Sequence, residues 1–341
     1  MIKASNMSRY AEAHADPQGT GDARPTALQI IKDEGLEGKL GGKVFVITGT
    51  SSGIGIETVR AIAATGAKLF LTARNVAKAK TALADILDPS RMEIIQMDQG
   101  SLDSVRAAAA AILSKTDKVN VLINNAGIAA IQALEFTKDG HEMQFGTNHL
   151  SHFLFFQLLK PALLAASTPE FPSRVVNVAS AGHRFKGINA SDNYNFQKGG
   201  YEPMMSYAQS KTANIYMANE IERRYGSRGL HATSLHPGVI DTPLSVNFPK
   251  AEIDALLSSP EMKKQMKSPE QGAATTALAA VGKEWANKGG RYLTNCTEAI
   301  PEIEGCGQFD SEYHASWAYD EESEGRLWKD SLKLVGLDDK E

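Results

Sequence analysis

The chain has 341 residues, and its 36 lysines and arginines against 40 aspartates and glutamates give a formal net charge of −4, without the basic excess expected of a nucleic-acid-binding protein. Its composition, 42% hydrophobic and 22% charged, is that of a globular protein, and no stretch approaches the roughly 18 uninterrupted apolar residues of a membrane span. With only two cysteines and no secretion signal at its start, the chain is expected in the reducing cytoplasm.

Short apolar runs then alternate with longer helical patterns along the chain. Residues 1–40 are predicted to form an N-terminal extension outside the core, with a short amphipathic helix around 27–36. The predicted strands are 44–48, 68–72, 92–97, 119–123, 174–178, 230–236 and 291–295, and the predicted helices are 53–65, 75–87, 101–115, 138–166, 206–228 and 270–283. This alternation predicts an α/β fold, a single doubly wound parallel sheet of about seven strands with helices on both faces. The domain would span 41–300, with a C-terminal extension, 301–341, packing on it.

A glycine-rich segment, TGTSSGIG, joins the first predicted strand to the first long helix. Glycine lets backbone amides approach a pyrophosphate closely, and a helix N-terminus adds partial positive charge. Because the segment lies between a strand and a helix, nucleotide binding is favoured over a purely structural turn. The candidate cofactor contacts in this segment are Gly49, Ser51, Ser52, Gly53, Ile54 and Gly55.

The end of the second predicted strand indicates which dinucleotide would bind. An acidic residue at this position hydrogen-bonds the ribose of NAD, whereas an arginine accommodates the additional phosphate of NADP. The sequence has Ala73 and Arg74 there, and Lys78 follows one helical turn later. This pattern favours NADP(H), the alternative being that Arg74 is a solvated surface charge.

Tyr207 and Lys211 are four residues apart in a predicted helix, so their side chains share one face. A phenol with a pKa of about 10 is a poor acid–base catalyst at neutral pH because its anion is scarce. An adjacent ammonium favours the phenolate and is expected to lower that pKa. Taken alone, such a pair is more often a half-buried ring beside a solvated charge.

Six motifs in order resemble the short-chain dehydrogenase/reductase superfamily, classical type, and within it the retinol-dehydrogenase-like branch. They are TGTSSGIG (48–55), NNAG (124–127), FGTNHLSHF (145–153), VVNVAS (175–180), YAQSK (207–211) and HPGVIDT (236–242). The resemblance implies an NADP(H)-dependent oxidoreductase that interconverts a carbonyl compound and its alcohol. It implies no metal site.

The resemblance also implies a role for each matching residue. Ser180 would hydrogen-bond the substrate carbonyl, and Tyr207 would supply the proton. Lys211 would hold the nicotinamide ribose and lower the tyrosine pKa, while Asn148 would support a water relay to Lys211. The further implied cofactor contacts are Asp98, Gln99, Asn125, Ala126, Gly127, Pro237, Gly238, Val239 and Thr242. Gln99 departs from the family pattern, which usually has an aliphatic residue at that position.

Two segments, 182–206 and 243–268, are predicted to wall the substrate pocket. Their apolar side chains favour a bulky lipophilic ketone, aldehyde or alcohol, unless they merely pack the loops onto the core. These side chains are Phe185, Tyr194, Phe196, Tyr201, Met204, Met205, Leu244 and Phe248.

Three functions stay open from the sequence. They are a carbonyl reductase, an enzyme of the same fold catalysing isomerisation or dehydration, and a nucleotide-binding scaffold without turnover. The long helices carrying Asn148 and Tyr207 pair subunits in many relatives, which is compatible with a homodimer or homotetramer.

Overall fold

The computed structural model describes residues 8–307 and 310–338. Within these residues, eight strands form one sheet in the order β3-β2-β1-β4-β5-β6-β7-β8, and two further strands, β9 and β10, form a separate parallel pair. The strands are β1 (Val44–Thr48), β2 (Lys68–Ala73), β3 (Met92–Gln96), β4 (Val121–Asn124), β5 (Ser173–Val178), β6 (Leu230–Leu235), β7 (Arg291–Thr294), β8 (Thr297–Glu298), β9 (Ile300–Pro301) and β10 (Tyr313–His314).

The predicted parallel sheet is confirmed. Strands β1 to β7 run parallel, and β1, β4, β5 and β6 are buried along their whole length because helices cover both faces. The eighth strand was not predicted. It runs antiparallel to β7 after a turn in which Asn295 and Cys296 have φ angles of 48° and 58°, the left-handed backbone that closes two-residue hairpins.

The helices lie in two layers. Helices α5, α7, α8 and α13 contribute to the core on one face of the sheet, and α2, α3 and α12 to the core on the other. Among the described residues, no helix combines the length and apolarity needed to cross a membrane. The helices are α1 (Ala11–Ala15), α2 (Ala27–Asp33), α3 (Ile54–Ala63), α4 (Val76–Ala82), α5 (Leu102–Leu113), α6 (Met143–Phe145), α7 (Ser151–Ala166), α8 (Pro203–Tyr225), α9 (Lys250–Ser258), α10 (Pro260–Gln265), α11 (Pro269–Gly272), α12 (Ala274–Val281) and α13 (Glu321–Leu334).

The N-terminal segment is part of the core, and its placement outside the core was wrong. Helix α2 packs against α3 and α12, and the side chains of Ile30 and Ile31 are fully buried there. Burying two such side chains contributes about 3–6 kcal/mol to folding. Residues 1–7 lie outside the described residues.

The helix predicted over 138–166 is also not continuous. It begins at α6, passes through a π-helical turn at Gly146–Leu150 and continues as α7. A π-helical turn is rare and is found frequently at functional sites. The turn contains Asn148, one of the candidate catalytic residues.

Candidate active site

The predicted site residues converge on one edge of the sheet. The glycine-rich segment follows β1, Arg74 follows β2, Asp98 and Gln99 follow β3, and residues 125–127 follow β4. Ser180 follows β5 and residues 237–242 follow β6. In open α/β sheets, ligands bind outside the carboxyl ends of the strands, where the strand order reverses. The reversal here lies between β1 and β4.

Three glycines make the turn after β1 possible. Gly49 and Gly53 have φ angles of 72° and 59°, which side chains rarely allow. A Cβ atom at Gly55 would lie 2.1 Å from the carbonyl oxygen of Gly49, and one at Gly49 would lie 2.7 Å from the Cα of Ala126. The turn therefore packs backbone against backbone at the N-terminus of α3, the geometry that admits a pyrophosphate.

Asn125 and Thr48 join this turn to the end of β4. Thr48 Oγ1 accepts hydrogen bonds from the backbone amides of Asn125 and Ala126, at 2.9 and 3.0 Å. The Asn125 amide nitrogen donates to the carbonyl oxygens of Thr48 and Gly49, at 2.9 and 3.2 Å. Its Oδ1 is buried and has no hydrogen-bond partner among the described residues. The Asn125 side chain thus holds the end of β4 against the glycine turn.

The segments that follow β2 and β3 carry the two predicted cations and two further candidate contacts. Arg74 and Lys78 are exposed, Lys78 in the first turn of α4, and Gly100 N donates to the carboxylate of Asp98 at 3.0 Å. The Gln99 amide nitrogen is buried without a hydrogen-bond partner among the described residues. Because a buried orphaned donor is costly, a ligand acceptor at this position fits the site. A dinucleotide therefore fits both the glycine turn and the end of β3.

The segment after β6 packs against the glycine turn. A Cβ atom at Gly53 would lie 3.4 Å from Thr242 Cγ2, which places Thr242 against the glycine turn. Gly238 has a φ angle of 109°, and a Cβ atom there would lie 2.7 Å from Lys267 Cδ. Pro237 and Val239 are half-buried beside it. The 237–242 segment and the glycine turn are thus neighbours.

Ser180 lies two residues after the end of β5 and caps the N-terminus of a short 3-10 helix, Ala181–Phe185. Its Oγ accepts a hydrogen bond from the backbone amide of Gly182 at 3.0 Å. A Cβ atom at Gly182 would lie 3.1 Å from Tyr207 Cε1 and 3.3 Å from Ser180 Oγ. Glycine at 182 therefore allows the serine hydroxyl and the tyrosine ring to lie side by side.

Tyr207 and Lys211 lie in α8 and are both buried. The Lys211 ammonium is 5.5 Å from the centroid of the Tyr207 ring and donates to the carbonyl oxygen of Val178 at 3.1 Å. A Cβ atom at Gly127 would lie 3.4 Å from Lys211 Nζ. The structure therefore brings Ser180, Tyr207 and Lys211 together beside the NNAG segment.

The expected lowering of the tyrosine pKa is wrong for this geometry. Burial raises the pKa of Tyr207 to about 12, and a side-chain hydrogen bond with Ser180 acts in the opposite direction. Burial also lowers the pKa of Lys211 to about 8. Removal from water disfavours the charged form of both groups, the phenolate of Tyr207 and the ammonium of Lys211. The phenol is thus held in its protonated form.

Asn148 contacts the same cluster from the π-helical turn. Its side chain exchanges two hydrogen bonds with the backbone of Ile128, both at 2.9 Å, and its amide nitrogen donates to Ser210 Oγ at 2.9 Å. The backbone carbonyl oxygen of Asn148 lies 3.0 Å from His152 Nδ1. Asn148 therefore ties the end of the NNAG segment to α8.

Comparison with known proteins identifies the family. Residues 43–253 match the model of the short chain dehydrogenase family. The chain belongs to this family. It is 50% identical to short-chain dehydrogenase/reductase prx1 of Penicillium roqueforti over 329 residues, 96% of this chain and 95% of that protein. It is 34% identical to human retinol dehydrogenase 13 over 302 residues, 87% of this chain and 86% of that protein.

The fold comparison agrees with the family assignment. A crystal structure of a putative uncharacterized protein from Mycobacterium Paratuberculosis superposes with a TM-score of 0.66 at 29% identity, covering 88% of this chain and 96% of that one. The resemblance to the retinol-dehydrogenase-like branch is confirmed by the human relative. The protein is thus a short-chain oxidoreductase, and a nicotinamide cofactor is the one that its family supports.

Two buried histidines that sequence reasoning missed hold the Ser180 segment of this dehydrogenase. His183 Nδ1 lies 2.7 Å from the carbonyl oxygen of Ser180, and its Nε2 lies 3.1 Å from the backbone amide of Ala315. His236 Nδ1 accepts from the backbone amide of Ala181 at 3.1 Å. The backbone amide of Ala315 can only donate, so Nε2 of His183 accepts this hydrogen bond. Nδ1 of His183 therefore carries the proton and donates to the carbonyl oxygen of Ser180. The Ala181–His236 and His183–Ala315 hydrogen bonds join residues that are 55 and 132 positions apart, so no local sequence pattern predicts them.

Replacing His183 separates these two hydrogen bonds. In His183→Asn the amide nitrogen lies two bonds from Cβ, as Nδ1 does, so this variant keeps the hydrogen bond to Ser180. In His183→Gln the amide lies three bonds from Cβ, as Nε2 does, so this variant keeps only the hydrogen bond from Ala315. We expect the glutamine variant to lower kcat by about tenfold or more, the worth of one hydrogen bond to a positioned group. The asparagine variant should retain most of kcat, and both should keep wild-type affinity for the dinucleotide. Steady-state kinetics and nucleotide titration measure this, and equal losses in the two variants would contradict it.

Only some of the side chains predicted to wall the substrate pocket are exposed enough to contact a substrate. Tyr194 is 4% exposed, stacks on Phe145 at 5.0 Å and donates to Asp330 at 2.6 Å, so it packs the first loop onto the core. Phe196 is also buried, edge-on to Tyr201 at 5.6 Å. The remaining predicted wall residues are half-buried or exposed, namely Phe185, Met204, Met205, Leu244 and Phe248.

Proposed function

We propose that this short-chain dehydrogenase is an NADP(H)-dependent reductase of bulky lipophilic ketones or aldehydes. The observation that carries the proposal is the convergence of Ser180, Tyr207 and Lys211 beside a glycine turn shaped for a dinucleotide. The proposal for NADP(H) over NAD(H) rests on Arg74 and Lys78, both exposed beyond β2. Asp98, Gln99 and residues 125–127 would hold the adenosine half, and 237–242 the nicotinamide end.

The reaction needs an acid that acts where negative charge develops. A bound nicotinamide supplies a hydride in reduction and accepts one in oxidation. Ser180 Oγ would donate a hydrogen bond to the substrate carbonyl oxygen, and Tyr207 would transfer its proton to the same oxygen as charge grows there. Lys211, fixed on Val178, would bind the ribose, and Asn148 would keep the end of the NNAG segment in place.

The raised pKa of Tyr207 suits its proposed role as the proton donor in reduction. A phenol with a pKa of about 12 remains protonated at neutral pH and is still a far stronger acid than an alcohol. In the oxidation of an alcohol the same group would accept the proton, since both directions pass through one transition state.

Two observations bear on the substrate. The 243–247 segment faces the loop after β4, since Asn247 donates to the carbonyl oxygen of Ala129 at 3.1 Å and accepts from Gln132 at 3.0 Å. Leu244 and Val246 of this segment are 40% and 77% exposed. An apolar rim next to the NNAG segment suits a lipophilic carbonyl compound.

The alternatives are an enzyme of the same fold that isomerises or dehydrates its substrate, and a nucleotide-binding scaffold without turnover. Consumption of NADPH across a panel of aromatic, steroid-like and terpenoid carbonyl compounds tests all three. Oxidation of NADPH with formation of the alcohol supports the proposal. Nucleotide binding without turnover favours the scaffold, and a product of unchanged mass, or one lighter by a water, favours the non-redox enzymes.

Compartment and assembly belong to the same proposal. Cys296 and Cys306 are both free, which suits a reducing cytoplasm. We propose a homodimer or homotetramer on the family resemblance alone.

A further inference from the structure

The N-terminal segment 16–24, which we call the N-terminal strap, lies against the end of segment 243–268, the second of the two predicted pocket walls. Arg24 is 4% exposed although it carries a permanent charge. Its Nη1 donates to the carbonyl oxygen of Gln265 at 2.9 Å, and its Nη2 donates to that of Met266 at 2.5 Å. Asp22 pairs with its Nε at 2.8 Å and supplies the balancing charge. The strap is therefore joined to a segment about 240 residues away by a buried, neutralised guanidinium.

The carbonyl groups that Arg24 binds are those a helix leaves unsatisfied. Helix α10 ends at Gln265, and Met266 is its C-cap. The last carbonyl groups of a helix have no partner within it, and a cation there also interacts favourably with the helix dipole. Arg24 thus acts as a C-cap for α10 supplied from the other end of the chain. Gln271 makes a second tie, accepting from Gly21 N at 3.0 Å and donating to the Arg24 carbonyl oxygen at 3.1 Å.

The capped segment leads directly to the proposed nicotinamide end of the cleft. Lys267 follows Met266, and its backbone amide donates to the carbonyl oxygen of Val239 at 2.9 Å. Its side chain lies across Gly238 and donates to Asn295 Oδ1 at 2.8 Å. Gly238 and Val239 therefore pack against and hydrogen-bond Lys267. Lys267 is next in sequence to Met266, whose carbonyl oxygen Arg24 binds.

We propose that Arg24 is a positioning residue that sets the 237–239 segment for the nicotinamide half of the cofactor, acting through residues 265–267. The inference rests on the proposed function for the identity of that ligand. It gives the N-terminal strap a role in cofactor binding and turnover in addition to its packing on the core.

Arg24→Met tests this, because methionine fills similar space without donors. We expect it to weaken NADP⁺ binding by about tenfold or more and to lower kcat, the effect of losing hydrogen bonds from a charged group. Affinity for 2′,5′-ADP, which lacks the nicotinamide, should change by less than about twofold. Arg24→Lys, which keeps the charge but not the fork of donors, should be intermediate.

Arg9→Met is the matched control. Arg9 lies in the same N-terminal region, but its side chain bonds to Asp33 and Glu34 of the α2 end and not to 265–267. Its variant should keep wild-type affinity for both nucleotides. Equal weakening of NADP⁺ and 2′,5′-ADP in Arg24→Met, or no weakening of either, would overturn the proposal.

Hydrogen exchange of the protein without nucleotide separates this inference from the proposed function. Arg24→Met should speed exchange at the amide of Lys267, which donates to the carbonyl oxygen of Val239, whereas Arg9→Met should leave that amide as in the wild type. Unchanged exchange at the Lys267 amide in Arg24→Met would overturn the positioning role, even if the wild type proved to bind no dinucleotide. Faster exchange without dinucleotide binding would retain the mechanical link and reject the proposed ligand.

Discussion

Tyr207→Phe is expected to lower kcat for carbonyl reduction by about 10²- to 10⁴-fold while leaving dinucleotide affinity unchanged. The hydroxyl is the only part of the side chain removed, and general acid catalysis contributes rate factors of that size. The ring still packs in α8, where it is 6% exposed, so the fold should be preserved. Single-turnover kinetics with saturating NADPH, together with nucleotide titration, separate the two effects.

Tyr216→Phe is the matched control for that substitution. Tyr216 lies in the same helix and is 2% exposed, but its hydroxyl donates to the carbonyl oxygen of Trp317 at 2.8 Å. The control should lose stability, by about 1 kcal/mol for one buried hydrogen bond, and keep kcat. If Tyr207→Phe retained full turnover, the proposed acid would be wrong.

Arg74→Asp is expected to shift the preference from NADPH towards NADH by about 100-fold in the ratio of kcat/KM values, which corresponds to roughly 2.7 kcal/mol. The substitution removes a charge-assisted hydrogen bond to the ribose phosphate and places a carboxylate where the hydroxyls of NAD would bind. Arg74 is exposed, so the change should cost little stability. Steady-state kinetics with each nucleotide measure the ratio.

Lys80→Asp controls for the change in net charge. Lys80 is exposed in α4, the helix that follows Arg74, and is not among the predicted cofactor contacts. It should leave the NADPH to NADH ratio within about twofold of the wild type. An unchanged ratio in Arg74→Asp would show that the phosphate is not recognised there.

The sequence predicted those parts of the site whose geometry is local. The glycine turn follows from its position between a strand and a helix, and the pairing of Tyr207 with Lys211 follows from one helical turn. The parallel sheet then brings the ends of β1 to β6 to one edge, so residues from separate motifs meet without any further assumption.

Contacts between distant segments were not predictable from the sequence. Ile30 and Ile31 occupy a groove between α3 and α12, which a short amphipathic pattern alone does not reveal. Arg24 resembles any solvated arginine until the end of α10 is placed beside it. The pKa of Tyr207 was predicted from one neighbour, Lys211, whereas burial of the whole group decides its direction.

Transfer of deuterium from NADPH labelled at C4 tests the central claim most directly. The wild-type protein would be incubated with each C4-deuterated epimer of NADPH and a carbonyl compound that it converts, and the product analysed by mass spectrometry and NMR. The account predicts an alcohol with a single deuterium on the former carbonyl carbon, from one epimer only. A product without deuterium from either epimer, formed while the labelled nucleotide remains unoxidised, would contradict it.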